Sequence, residues 1–192
     1  MTYDIIKQPF EKDLLDMSKG ELEQYFQWFI GVIPARIDVL EEAVRNTPGF
    51  GQWCADYTPS SLSPLGHWFA SQVETRSRSE TELEKIREKQ TFPMDVPETE
   101  LTTRTLSLVM DIGMYLGRVF LTNHPSLKWS QDTSDKKFAY YGQPLVTGFG
   151  SVPFNPAGTA LVQAYGLISK KKTGDRLREI YDIWQKRTGP SS

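Results

Sequence analysis

The chain has 192 residues, 39% of them hydrophobic and 24% charged, proportions that exclude a disordered or fibrous polypeptide and suit one globular domain with a sizeable core. A net charge of −2, a pI near 5.8 and the lack of any recognised binding motif argue against nucleic acid as a partner. The single cysteine, Cys54, excludes an internal disulfide framework, and the opening MTYDIIKQPFEKD lacks the basic start and apolar run of a secretory signal, so a cytoplasmic location is expected.

In chain order, Ser18 and Glu21 have the spacing of a capping box, and Leu22, Tyr25, Phe26, Phe29, Val32 and Ile33 repeat at three and four, predicting a helix to about Ile33. Pro34 is expected to kink or restart it, with Ile37, Leu40 and Val44 continuing the stripe up to the turn NTPGFG. Thr58-Pro59 opens a second helix, to about Val73, carrying Leu62, Leu65, Trp68 and Phe69. The charged SETELEKIREKQ reads as an exposed helix before a break at Phe92–Pro97.

The stretch Leu106–Leu121, LSLVMDIGMYLGRVFL, is apolar almost all round a helix. Such a helix is buried, and one this short with two charges belongs in a protein core, not a bilayer, so no membrane partner is expected. It starts near Glu98 or Leu101 and stops before Asn123-His124-Pro125. Leu127–Gln131 and Phe138–Tyr141 around the polar DTSDKK predict a β-hairpin, with Pro144–Phe149 as a third, edge strand. Asn155-Pro156 starts a helix reaching about Ile168, and a last helix from Gly174 to Arg187 aligns Leu177, Ile180, Tyr181 and Trp184. The predicted fold is α+β and mainly α-helical, a single domain over 1–192 with a small antiparallel hairpin or three-stranded sheet before the last two helices.

Charge divides the chain. Residues 1–100 hold 10 Lys and Arg against 18 Asp and Glu, and residues 101–192 hold 12 against 6. An acidic helical half (about 1–97) thus precedes a basic half (about 98–192). The halves either neutralise one another across an internal interface or leave a field that steers a charged partner.

Arg104, Asp111 and Arg118 recur at intervals of seven, so they share a stripe with Ser107, and Tyr115 lies one turn beyond Asp111. Two guanidiniums held by a carboxylate are chemistry for an anionic ligand, which makes Arg104, Asp111, Tyr115 and Arg118 the candidate ligand-binding residues. The competing structural reading is a solvent edge or a pairing with the acidic half. The solvent edge is expected, because Ser107 and two arginines sit more easily beside water than in a core. Gly113 and Gly117 read as a close helix contact. Cys54, His67 and Asp56 have the residue types of a nucleophile, base and orienting acid, but no protease signature surrounds them. Two histidines and one widely separated cysteine make no metal site, and no glycine-rich nucleotide loop is present, so neither metal nor cofactor is expected. Trp28, Trp129, Tyr140 and Tyr141 are aromatics that periodicity does not need in the core, hence the candidate protein-interface residues.

Three blocks, YFQWFIGVIPARIDVL, SSLSPLGHWF and DIGMYLGRVFLTNHPSLKW, resemble small bacterial protein families of unknown function; the last is similar to a helix-then-hairpin unit in families some of which are encoded near toxin systems. The resemblance spans about Phe10 to Ile168. It implies a bacterial, mainly helical α+β protein and an immunity-like or accessory role, and it brings no catalytic residues. With no catalytic constellation in the chain, the expected function is a non-enzymatic cytoplasmic protein that binds another protein. The alternative is a small-ligand binder or enzyme using a polar cleft along the central helix.

Overall fold

The computed structural model describes residues 3–90 and 95–188. It is 55% helical, with six α-helices and two small antiparallel two-stranded sheets, so the mainly helical α+β class stands. After an irregular lead, α1 spans Lys19–Arg45, α2 Leu62–Gln72, α3 Glu80–Lys89, α4 Thr103–Asn123, α5 Pro156–Ile168 and α6 Arg176–Trp184.

The capping box expected at Ser18 forms, and α3 opens on a second one. Ser18 Oγ accepts from the Glu21 amide while the Glu21 carboxylate accepts from the Ser18 amide, and Ser79 and Glu82 do the same for α3. The Glu21 carboxyl, held by Lys12 and by Ser18, is lowered to about 2, and that of Glu82, held by Arg76 and Ser79, to about 2. The expected break at Pro34 does not divide α1, which runs through it as one helix. Pro34 is exposed, so the carbonyl one turn earlier that loses its N–H partner can be solvated.

Helix α4 is the central element and packs most extensively on α5, then on α1. By length and composition alone it is long enough to cross a membrane, yet 72% of its most apolar window is buried inside the protein. It begins later than the sequence suggests because Thr99–Leu101 is a strand, β2, that pairs with Thr75–Ser77, β1. Thr102 then caps the helix by accepting from the Thr105 amide at 3.1 Å. The aromatic faces of the first and last helices meet α4 and its surroundings: Phe120 stacks on Tyr181 at 4.7 Å and meets Phe154 edge-on at 5.1 Å, while Phe29 meets Trp129 at 5.3 Å. Gly113 and Gly117 let neighbours close in. A Cβ at Gly113 would lie 2.6 Å from the Ala157 Cα of α5, and one at Gly117 would collide with the Trp129 ring.

The hairpin is real but its second strand is misplaced in the sequence reading. Lys128–Gln131 (β3) pairs with Pro144–Thr147 (β4), in register Trp129 with Val146 and Ser130 with Leu145. Phe138–Tyr141 lies in the connecting turns: the amides of Phe138, Tyr141 and Gln143 donate to the carbonyls three residues back, and Asp132 accepts from the Ser134 amide at 2.8 Å. Those side-chain-seeded turns outcompete strand pairing for a short aromatic run. Pro144–Thr147 is therefore the main partner strand, joined on its other side only by a bridge from Val146 to Phe154. Residues Phe92–Met94 of the expected break lie outside the described residues. The last helix is shorter than expected, ending at Trp184 and tightening into a 3-10 turn over Gln185–Arg187.

Candidate functional site

The stripe on α4 does not form one cleft. Arg104 and Arg118 are fourteen residues apart, about 21 Å along a helix axis, and their environments differ. Asp111 is fully buried, which corrects the expectation of a solvent edge. Its partner is Arg36, on the buried face of α1: Nε donates to Asp111 Oδ1 at 2.9 Å and Nη2 to Oδ2 at 2.8 Å. The Tyr3 hydroxyl donates to the same carboxylate. This bidentate geometry is the strong form of a charge-assisted pair. Burial pushes the Asp111 carboxyl above the usual carboxylate range, against the downward pull of Arg36 and Tyr3, while the Asp111 hydrogen bond holds the Arg36 guanidinium more firmly protonated.

Around this pair the irregular N-terminal segment is tied down. Arg36 Nη2 donates to the Asp4 carbonyl at 2.7 Å and Nη1 to the Asp4 carboxylate at 3.2 Å, while Ser107 Oγ accepts from the Ile6 amide at 2.9 Å. Every carboxylate oxygen of Asp111 is thus engaged within the protein, and the group serves as a bolt between α1, α4 and the N-terminal strap. Spacing could have found Arg36: Ile33, Arg36, Ile37 and Leu40 share one face at steps of three and four.

Arg104 is half-buried and set by Gln72, donating to its carbonyl at 3.0 Å and its Oε1 at 2.6 Å, with the Tyr3 ring 5.9 Å away. Tyr115 is fully buried and structural: its hydroxyl lies 2.7 Å from Ser61 Oγ and accepts from the Tyr57 amide at 3.3 Å, and burial pushes it up to about 12. Arg118 is exposed over the Tyr57 ring, 5.6 Å from its centroid.

The candidate interface aromatics also separate. Tyr141 is buried in a small cluster with Met17, Leu22 and Tyr25, Trp129 is pressed on Gly117 and Phe29, and Trp28 is half-buried against Tyr25 at 5.4 Å. Tyr140 alone of the four is exposed, at 37%. Nor do Cys54, His67 and Asp56 assemble: His67 Nε2 hydrogen-bonds Asp175 at 3.0 Å, and Asp56 accepts from the Thr58 amide and hydroxyl, both at 2.8 Å. Among the described residues no group of His, Cys, Asp and Glu side chains could hold a metal ion.

A surface that the sequence reading missed lies on α5. This helix, PAGTALVQAYGLI, contains no charged residue. Ala160, Gln163, Ala164 and Gly166 are buried inward, while Val162, Tyr165 and Ile168 remain 58%, 49% and 39% exposed. At 100° per residue, Leu161, Val162, Tyr165 and Ile168 fall on one face. Beside it runs a groove of about 400 Å³ floored by Leu106 and Met110 of α4, Ile5 of the strap and Leu161. Lys170 and Lys171 are exposed directly past the end of α5. The signal available in the sequence was a helix without a charged side to turn to water. No family model, curated protein or solved structure matches the chain.

Proposed function

We propose that this chain is a non-enzymatic protein-binding factor, of the accessory or immunity type, whose docking face is the outward side of α5 with the neighbouring groove. The observation that carries the reading is the uncharged α5 with Val162, Tyr165 and Ile168 in the open. Single exposed apolar side chains are ordinary, but a contiguous patch beside an apolar groove marks an interaction surface. The occupant that fits is a partner's amphipathic helix, its apolar seam lying in the groove and its acidic flank meeting Lys170 and Lys171.

Two double variants test this. Val162→Glu with Tyr165→Glu places charge on the apolar face, and Lys170→Glu with Lys171→Glu reverses the basic end; both sets are exposed, so the fold should melt as the parent does. Affinity purification from the native cell should recover a stoichiometric protein with the parent and lose it with the first pair, while the second pair weakens capture most at low salt. A partner retained by both, or an association with lipid vesicles instead of protein, would contradict the reading.

A further inference from the structure

A second cavity, lined by Tyr3 and Asp4 of the strap where the α5 groove is lined by Ile5 and Ile6, has a different chemistry. It is a cleft of about 350 Å³ between the end of α1, the turn after it, α2 and Arg104, within the roughly 300–1,000 Å³ range of small-molecule sites. Its walls are apolar where Val39, Ala43, Pro48 and Trp68 contribute, and charged at separate points where Arg104 and Glu42 do.

Arg104 is pre-set. Two of its nitrogens donate to Gln72, and the nearest carboxylate, Glu74, stands off at 4.0 Å. A guanidinium has five N–H donors, so Gln72 leaves three, with only the exposed Glu74 carboxylate near them among the described residues. The fork is also only 30% exposed, which strengthens what it binds compared with a fully solvated charge. Glu42 is exposed and forms no ion pair among the described residues; the ion pair of this helix end joins Arg45 to Glu41. Trp68 cannot rotate away from the wall, because its Nε1 donates to Thr47 Oγ1 at 2.8 Å.

We infer that this cleft binds a free amino acid with an apolar side chain, its carboxylate on Arg104, its ammonium on Glu42 and its side chain against Val39, Ala43 and Trp68. A simple anion would face Glu42 and Asp4 as well as Arg104, and a simple cation would face the guanidinium. A zwitterion satisfies both signs, and the apolar residues of the same cleft select the side chain.

The test is titration calorimetry of the full chain with L-leucine, L-phenylalanine, L-phenylalanine amide and N-acetyl-L-phenylalanine at millimolar concentration. At least one of the two amino acids should bind, and both capped phenylalanines should bind about ten-fold more weakly than the free one or worse. Arg104→Gln should weaken the free amino acid but leave the amide, which has no carboxylate, unaffected; Glu42→Gln should weaken it but spare the N-acetyl compound. Because Glu42 is exposed, its variant keeps the test valid if Arg104→Gln alters the fold. No heat with either amino acid, or binding indifferent to both substitutions, would overturn the proposal.

Discussion

Arg36 donates two hydrogen bonds to the buried Asp111 carboxylate, and the consequence is an asymmetry between losing one partner and losing both. Asp111→Ala leaves a guanidinium that is 8% exposed with only the solvent-exposed Asp4 carboxylate, among the described residues, for a counter-ion and strands the Tyr3 hydroxyl, so a loss of about 3–5 kcal/mol is expected. An exposed pair would cost at most about 1 kcal/mol. Replacing both residues, as Arg36→Met with Asp111→Leu, removes the stranded charge and should cost less than Asp111→Ala alone. Urea unfolding of the three proteins checks this; a double variant weaker than the single one would mean that the strap contacts of Arg36 dominate. Neither partner is remote from the sequence signal, since both lie on helix faces readable from periodicity. What periodicity lacks is the pairing itself: it places Asp111 among apolar neighbours without showing that an arginine from the acidic half arrives opposite it.

At the scale of elements, what could be read was what is local. The box at Ser18, the cap at Asn155 and the small-residue face of α4 each depend on residues within one or two turns, and each appears where the spacing put it. The strands β1 and β2 were not readable, because three-residue strands carry no alternation and their partner lies beyond a whole helix. The α4–α5 contact gives a prediction of its own. With Ala157 backbone 2.6 Å from a Cβ at position 113, Gly113→Ala must separate the two helices. A loss of roughly 1–3 kcal/mol is expected by overpacking, seen as a lower thermal midpoint, although alanine is the better helix former. A gain in stability would mean that α5 sits less tightly than described. The caps make a pH prediction. Glu21 and Glu82 each titrate at about 2 in the fold against roughly 4.3 when unperturbed. Lowered carboxylates contribute stability that is complete above the unperturbed value and is lost as pH falls toward the folded one. Stability should therefore fall between about pH 4.5 and 2, and less steeply in Glu21→Gln with Glu82→Gln than in the parent; equal slopes would show that Lys12, Arg76 and the caps do not hold these carboxylates.

For the whole molecule, the uneven charge is not consumed inside. Among the described residues a single ion pair, Arg104 with Glu74 at 4.0 Å, joins a base of the second half to an acid of the first, while the buried pair runs the other way, from Arg36 to Asp111. Most of the asymmetry therefore faces solvent, where it orients a charged partner and falls away with salt. The apolar α5 face sits on the basic side of that field, ending at Lys170 and Lys171. The most direct measurement is photocross-linking in the native cell with a benzophenone side chain at Tyr165, and at Gln27, an exposed residue of α1, as the comparison. One discrete cross-linked protein is expected from position 165 and none of it from position 27. Equal yields from both positions, or a product at 165 consisting only of a second copy of this chain, would contradict it.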